Sequence, residues 1–139
     1  MKRLFVLLIT LFPVMSFAQA KKAIVEKIFK TDHGTVHEYL KIKKINKIKI
    51  AYEIFMSGDS CKAIKHKGIA VLNYGGETDI AGDYIAFAVA QYIDRSKTCW
   101  VSLRLGAEKG YMNRARFIIA DCEKLKPCKT ESEPLYTGK

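Results

Sequence analysis

The chain has 139 residues, 49% hydrophobic and 27% charged, a balance that supports one buried core and excludes a disordered polymer. Lys and Arg number 24 against 14 Asp and Glu, a formal net charge of +10 that turns the surface toward anionic partners and away from cationic ones. Past residue 20 no apolar run approaches the roughly 20 residues that a membrane-spanning helix requires, so no helical span is expected after cleavage of a leader.

Met1, Lys2 and Arg3 form a positive start, and Leu4 to Met15 is apolar apart from Thr10 and Pro13. Ala18 and Ala20 supply the small residues that a signal peptidase accepts. Residues 1–20 therefore read as a signal peptide, and loss of Lys2 and Arg3 takes the formal charge from +10 to +8. The first cysteine is Cys61, far from the cut, so a lipid anchor is not expected. The expected location is periplasmic or secreted, by signal-dependent export from a bacterial cell. Residues 21–128 read as one β-rich domain. Residues 129–139 read as a flexible tail, with Leu135 and Tyr136 available for a last short strand.

Residues 23–30 fit either a helix face or a short strand, with Ile24, Val25, Ile28 and Phe29 as the apolar positions. Asp32-His33-Gly34 marks a turn. Thr35 to Lys43 reads as a strand with Val36, Leu40 and Ile42 on one face. After a turn at Asn46 comes the clearest alternation in the chain. Ile48, Ile50, Tyr52, Ile54 and Met56 share a face, and Phe55 is the large apolar residue on the other. Cys61 opens a further strand in which Gly68-Ile69-Ala70-Val71-Leu72 reads as buried, and Asn73-Tyr74-Gly75-Gly76 ends it.

Residues 83–94 admit two readings. Ile85, Phe87, Val89 and Ile93 alternate as in a strand, whereas Tyr84, Ile85, Ala88, Val89, Tyr92 and Ile93 fit a helix capped by Asp83. The aromatic and β-branched content favours the strand. Cys99 to Leu105 and Met112 to Cys122 form a hairpin about Gly106 to Gly110. Val101, Leu103, Leu105, Phe117 and Ile119 point inward, and Ser102, Arg104, Arg114 and Arg116 outward. The whole pattern predicts a mainly β chain, a single antiparallel meander closing into a small barrel or sandwich. The alternative is α+β, with a helix at 83–94.

Four cysteines, Cys61, Cys99, Cys122 and Cys128, in an exported chain imply two disulfides. Their spacing of 37, 22 and 5 intervening residues lacks the C-x2-C pairs usual in zinc sites. In a simple meander Cys61, Cys99 and Cys122 fall at the same end of the sheet, with Cys128 close behind. Of the three possible pairings we favour Cys61–Cys99 with Cys122–Cys128.

No catalytic constellation stands out. There is no G-x-S-x-G elbow, the carboxylates are scattered, and Gly75-Gly76 lacks the pattern of a phosphate loop. Gly34 separates His33 from His37, and no acidic residue completes a metal motif with them or with His66. No cofactor or metal is implied, and an enzyme is not expected. Trp100 and Tyr111 are candidate interface anchors, with Trp100 on the face opposite Val101 and Leu103.

Positive charge is the strongest feature. Lys41, Lys43, Lys44, Lys47 and Lys49 lie within nine residues, and in a hairpin Lys41, Lys43, Lys47 and Lys49 share an exposed face. Lys62, Lys65 and Lys67 form a second group, and Arg104, Arg114 and Arg116 a third. The candidate anion-binding residues are therefore Lys41, Lys43, Lys47, Lys49, Arg104, Arg114 and Arg116. The expected partner is an anionic envelope component or an acidic protein. Nucleic acid is not expected, because aromatic residues are sparse beside the lysines and the chain is exported. The oligomeric state is left open. An alternative function is a periplasmic inhibitor or immunity protein that caps an enzyme or toxin. The general plan is similar to that of periplasmic lysozyme inhibitors, which are small barrels. Their Ser-Gly loop ending in Tyr has no counterpart here, since Ser57-Gly58 runs into Asp59-Ser60-Cys61. A cationic chain also matches cationic lysozymes poorly.

Overall fold

A computed structural model describes residues 26–59, 61–81, 85–96, 99–122, 125 and 129–138. The expected signal peptide, Asp83 and Cys128 lie outside them. Eight strands follow one another: β1 (Glu26–His33), β2 (Val36–Lys44), β3 (Lys49–Gly58), β4 (Cys61–Ala81), β5 (Ile85–Ser96), β6 (Cys99–Gly106), β7 (Arg114–Ala120) and β8 (Leu135–Thr137). Each pairs antiparallel with its neighbour in sequence, and β8 pairs with β1, so the sheet is a closed barrel. The meander reading holds, and the alternative helix at 83–94 does not.

Period-two burial is the cause. In β3, Ile50, Tyr52, Ile54 and Met56 are buried while the intervening residues are half-exposed. In β5, Phe87, Val89 and Gln91 are buried and Ala86 and Ala88 exposed, an alternation that a helix cannot produce. Of the ambiguous stretch at 23–30, the described residues 26–30 open β1, with Phe29 buried and Ile28 on the outside. The barrel interior joins Phe29, Leu40, Ile54, Met56, Val101, Leu103, Phe117 and Ile119 in one apolar core.

Strand β4 runs for 21 residues. Its first half pairs with β3, from Cys61 to Val71, and its second half with β5, from Val71 to Ala81. An irregularity between Asn73 and Glu77, within the β4–β5 ladder, re-aims the far end of the hairpin. On the outer side of the wall the far end of this hairpin makes a second small core. Phe87 stacks on Tyr111 with ring centroids 4.5 Å apart, beside Val89. Asp79 of β4 comes within 3.7 Å of Arg116 of β7 although β5 and β6 separate those strands in the sheet. The hairpin end therefore curls across the outer face of β6 and β7.

The favoured cysteine pairing is corrected. Cys99 bonds Cys122, with Cα atoms 4.0 Å apart. Trp100 lies opposite Ala120 in the β6–β7 ladder, and the positive φ of Asp121 (52°) brings Cys122 round onto Cys99. The expectation failed because it treated β4 as a strand of ordinary length. On the side of the β5–β6 hairpin the β4–β5 ladder ends at Val71, opposite Ile93. Cys61 starts ten residues earlier, opposite Gly58.

Candidate functional site

The outward faces of β2, β3 and β4 form one surface. Rows run across it in register: Tyr39 with Phe55 and Lys65, Lys41 with Glu53 and Lys67, and Lys43 with Ala51 and Ile69. Lys49 lies opposite Val71 at its edge. The lysine groups expected in sequence are thus brought onto one side of the barrel by strand pairing.

The middle of this surface is partly neutralised, with three ammonium groups against two carboxylates. Glu53 receives Lys67 at 2.8 Å and Lys65 at 3.0 Å, and Tyr39 donates its hydroxyl hydrogen to the same carboxylate. Hydrogen bonds from Lys67, Tyr39 and Lys65 hold the Glu53 carboxyl down at about 2. The same carboxylate raises the Lys65 ammonium and the Tyr39 phenol above their ordinary values. Lys41 pairs with Glu26 at 2.8 Å, which raises its ammonium likewise. Tyr39 and Phe55 stack with centroids 5.4 Å apart, which fixes the row beside Glu53.

The end of the surface at the β2–β3 turn is different. Lys43, Lys44, Lys47 and Lys49 are all exposed, and none enters an ion pair among the described residues. Asn46 builds the turn: its Oδ1 accepts the Ile48 and Lys49 amides at 2.9 and 2.8 Å. The Ile45 amide donates to the Lys49 carbonyl at 3.0 Å, and the Leu72 amide to the Ile48 carbonyl at 2.8 Å. Four uncompensated ammonium groups therefore sit on a hydrogen-bonded frame. Their attraction for an anion adds, because no carboxylate among the described residues pairs with them.

The arginines point outward as the alternation predicts, but lie under the curled hairpin. Arg114 lies over the rings of Tyr111 and Tyr136, 5.3 Å from each centroid, and 5.9 Å from that of Phe87. Arg116 faces Asp79 at 3.7 Å and Glu131 at 3.4 Å. Arg104 lines the same small recess, with Asp79, Phe87, Val89 and Arg116. Strand pairing thus separates Arg104, Arg114 and Arg116 from Lys41, Lys43, Lys47 and Lys49. Tyr111 is occupied by Phe87, and Trp100 is half-buried on the outer side. His37 lies 2.8 Å from Asp32, and His66 tilts against Tyr52 inside the barrel mouth.

The sequence reading is corrected around the lysine end: Ile69 and Val71, expected to be buried, face outward in the rows of Lys43 and Lys49, Ile48, expected on the core face, is exposed in the turn, and the exposure of Ile45 and Tyr74 was not anticipated. A signal was present in the Lys44-Ile45-Asn46-Lys47-Ile48 run, where isoleucines occupy a turn that has no core to join.

The fold and this surface define the class: a small closed antiparallel β-barrel, cross-linked across one hairpin, with uncompensated lysines at one end. Comparison with protein-family models, with curated proteins and with solved structures finds no match to the chain.

Proposed function

We propose that this is an exported, non-enzymatic binding protein that uses the lysine end of its β2–β4 face to hold an anionic component of the envelope. The observation that carries the reading is the set Lys43, Lys44, Lys47 and Lys49, exposed, adjacent and unmatched by carboxylates among the described residues. A surface selected only for solubility intersperses both signs, as this chain does around Glu53. The Cys99–Cys122 bridge agrees with an oxidising compartment.

Binding to dextran sulfate, a soluble polyanion, tests the reading. Affinity should fall steeply between low and physiological salt, as the screening length shortens to about 8 Å. Lys47→Glu/Lys49→Glu should weaken it at least about tenfold at low salt. Absent binding, or binding indifferent to salt and to the double variant, overturns the proposal. Export is checked by sequencing the N-terminus of the protein recovered from the envelope fraction, expected to begin at Lys21.

A further inference from the structure

The lysine end also carries exposed apolar side chains, and the two properties occupy the same few residues. Ile45 and Ile48 stand in the turn, 50% and 37% exposed, between Lys44, Lys47 and Lys49. Ile69 and Val71 lie beside them on β4, 56% and 42% exposed, in the rows of Lys43 and Lys49. Tyr74 is 79% exposed, two residues past the Leu72 amide that bonds the Ile48 carbonyl. Scattered single apolar residues on a surface need no explanation. Here isoleucines, a valine, a tyrosine and four lysines lie together at one end of the barrel, on the β2–β3 turn and the β4 segment paired beside it.

Of the neighbouring described acids, Glu26 is bound by Lys41, and Asp94 lies opposite the buried Val101, on the inner side of β5, where the Tyr52 hydroxyl donates to it at 2.8 Å. A polysaccharide would use the lysines but leave the isoleucines in water. A bilayer with anionic headgroups uses both: ammonium groups meet phosphates, isoleucines enter the acyl boundary, and the tyrosine sits at headgroup level. Resting on the anion-binding reading above, we propose that the β2–β3 turn, with Ile69, Val71 and Tyr74 of β4, docks the barrel on the surface of an anionic phospholipid bilayer.

The geometry supports shallow docking. Asn46 locks the turn, so little order has to be gained on contact. The backbone at the tip is hydrogen-bonded within the chain, through Ile45, Asn46, Ile48, Lys49 and Leu72, so it enters the interface with few open polar groups.

Vesicle co-sedimentation provides the test. Vesicles of equal parts phosphatidylglycerol and phosphatidylcholine are compared with pure phosphatidylcholine, and dextran sulfate binding is measured in parallel. Protein as recovered from cells is used, with its N-terminus determined and shared by all variants. The wild-type chain should bind the anionic vesicles and not the neutral ones. Ile45→Ser/Ile48→Ser should bind anionic vesicles at least about tenfold more weakly, since the apolar burial is lost, and dextran sulfate as before. Lys47→Glu/Lys49→Glu should weaken both. Unaltered vesicle binding by the isoleucine variant overturns the docking proposal. So does wild-type binding to dextran sulfate without binding to vesicles, which leaves the anion-binding reading standing. Failure in both assays removes both.

Discussion

Glu53 and Glu38 are carboxylates on opposite sides of the barrel wall, and alternation in sequence treats them differently. Glu53 faces outward from β3, as its place between Tyr52 and Ile54 requires, and collects Lys65, Lys67 and Tyr39. Its carboxyl is held at about 2, against an ordinary 4.5, first by Lys67 and then by Tyr39 and Lys65. The folded chain therefore takes up this proton less readily than the unfolded chain. The stabilisation is complete above about 4.5 and is lost as pH falls from there toward 2. Solvent screening keeps it modest at so open a site. The urea midpoint of the wild type should fall more between about pH 5 and pH 2.5 than that of Glu53→Gln. Parallel falls would show that the cluster contributes nothing through this carboxyl. Glu38 faces inward from β2, where the pattern calls for an apolar side chain, and it is fully buried. Its Oε2 accepts the Glu133 amide at 2.8 Å, and Lys129 comes within 3.1 Å of Oε1, an ionic contact outside hydrogen-bond alignment. For Lys129 burial opposes the charge, but the hydrogen bond to Glu133 and the attraction of the Glu38 carboxylate outweigh it and raise the ammonium. Nothing local to β2 announces this role, because the partners arrive from 91 and 95 positions further along the chain.

The element that brings them is the segment expected to be frayed. Residues 130–132 run along β7: the Ile119 amide donates to the Thr130 carbonyl at 2.7 Å, and the Ser132 amide to the Phe117 carbonyl at 2.9 Å. β8 then fills the gap between β7 and β1, the strand that Leu135 and Tyr136 offered in sequence. Leu135 is fully buried, although only three residues of strand surround it. Composition reads Lys129 to Lys139 as polar and loose because the stretch buries one apolar side chain and satisfies its backbone through strands distant in sequence. Where a strand carries its own alternation, as β3, β6 and β7 do, the sequence suffices to place its faces. Where position depends on length or on a late partner, it does not: β4 is long enough to shift Cys61 out of level with Cys99, and β8 is short enough to vanish in the tail. The candidate site divides likewise. The lysines were legible as a run, but the isoleucines exposed beside them and the hairpin covering the arginines depend on pairing between distant strands. Leu135→Ala removes the one side chain with which β8 enters the core. It should destabilise the chain by about 2–4 kcal/mol in urea unfolding, near the loss at a long core strand. A loss under about 1 kcal/mol would mean that β8 only rests on the barrel and does not close it.

At the scale of the molecule, the lysine end is a concentration of charge that folding has to maintain. With 24 basic against 14 acidic residues, the compact state brings like charges together, and the β2–β3 turn does so without local compensation. Pairs such as Lys41 with Glu26 help little at an exposed surface, and they are common to wild type and variant. The effect of the tip is therefore read from the difference between the two. Lys47→Glu/Lys49→Glu places two carboxylates among Lys43 and Lys44 and turns repulsion into attraction, with no buried side chain altered. The variant should be more stable than the wild type by about 1 kcal/mol at low salt. The gap should shrink by more than half near 1 M salt, where the screening length is about 3 Å. Urea midpoints of both proteins across a salt series measure it. A gain in stability coupled to a loss of dextran sulfate and vesicle binding is the signature of a surface kept for its ligand at some expense to the fold. A variant less stable than the wild type at low salt would instead assign the lysines a part in holding the turn, and the charge would need no ligand to explain it.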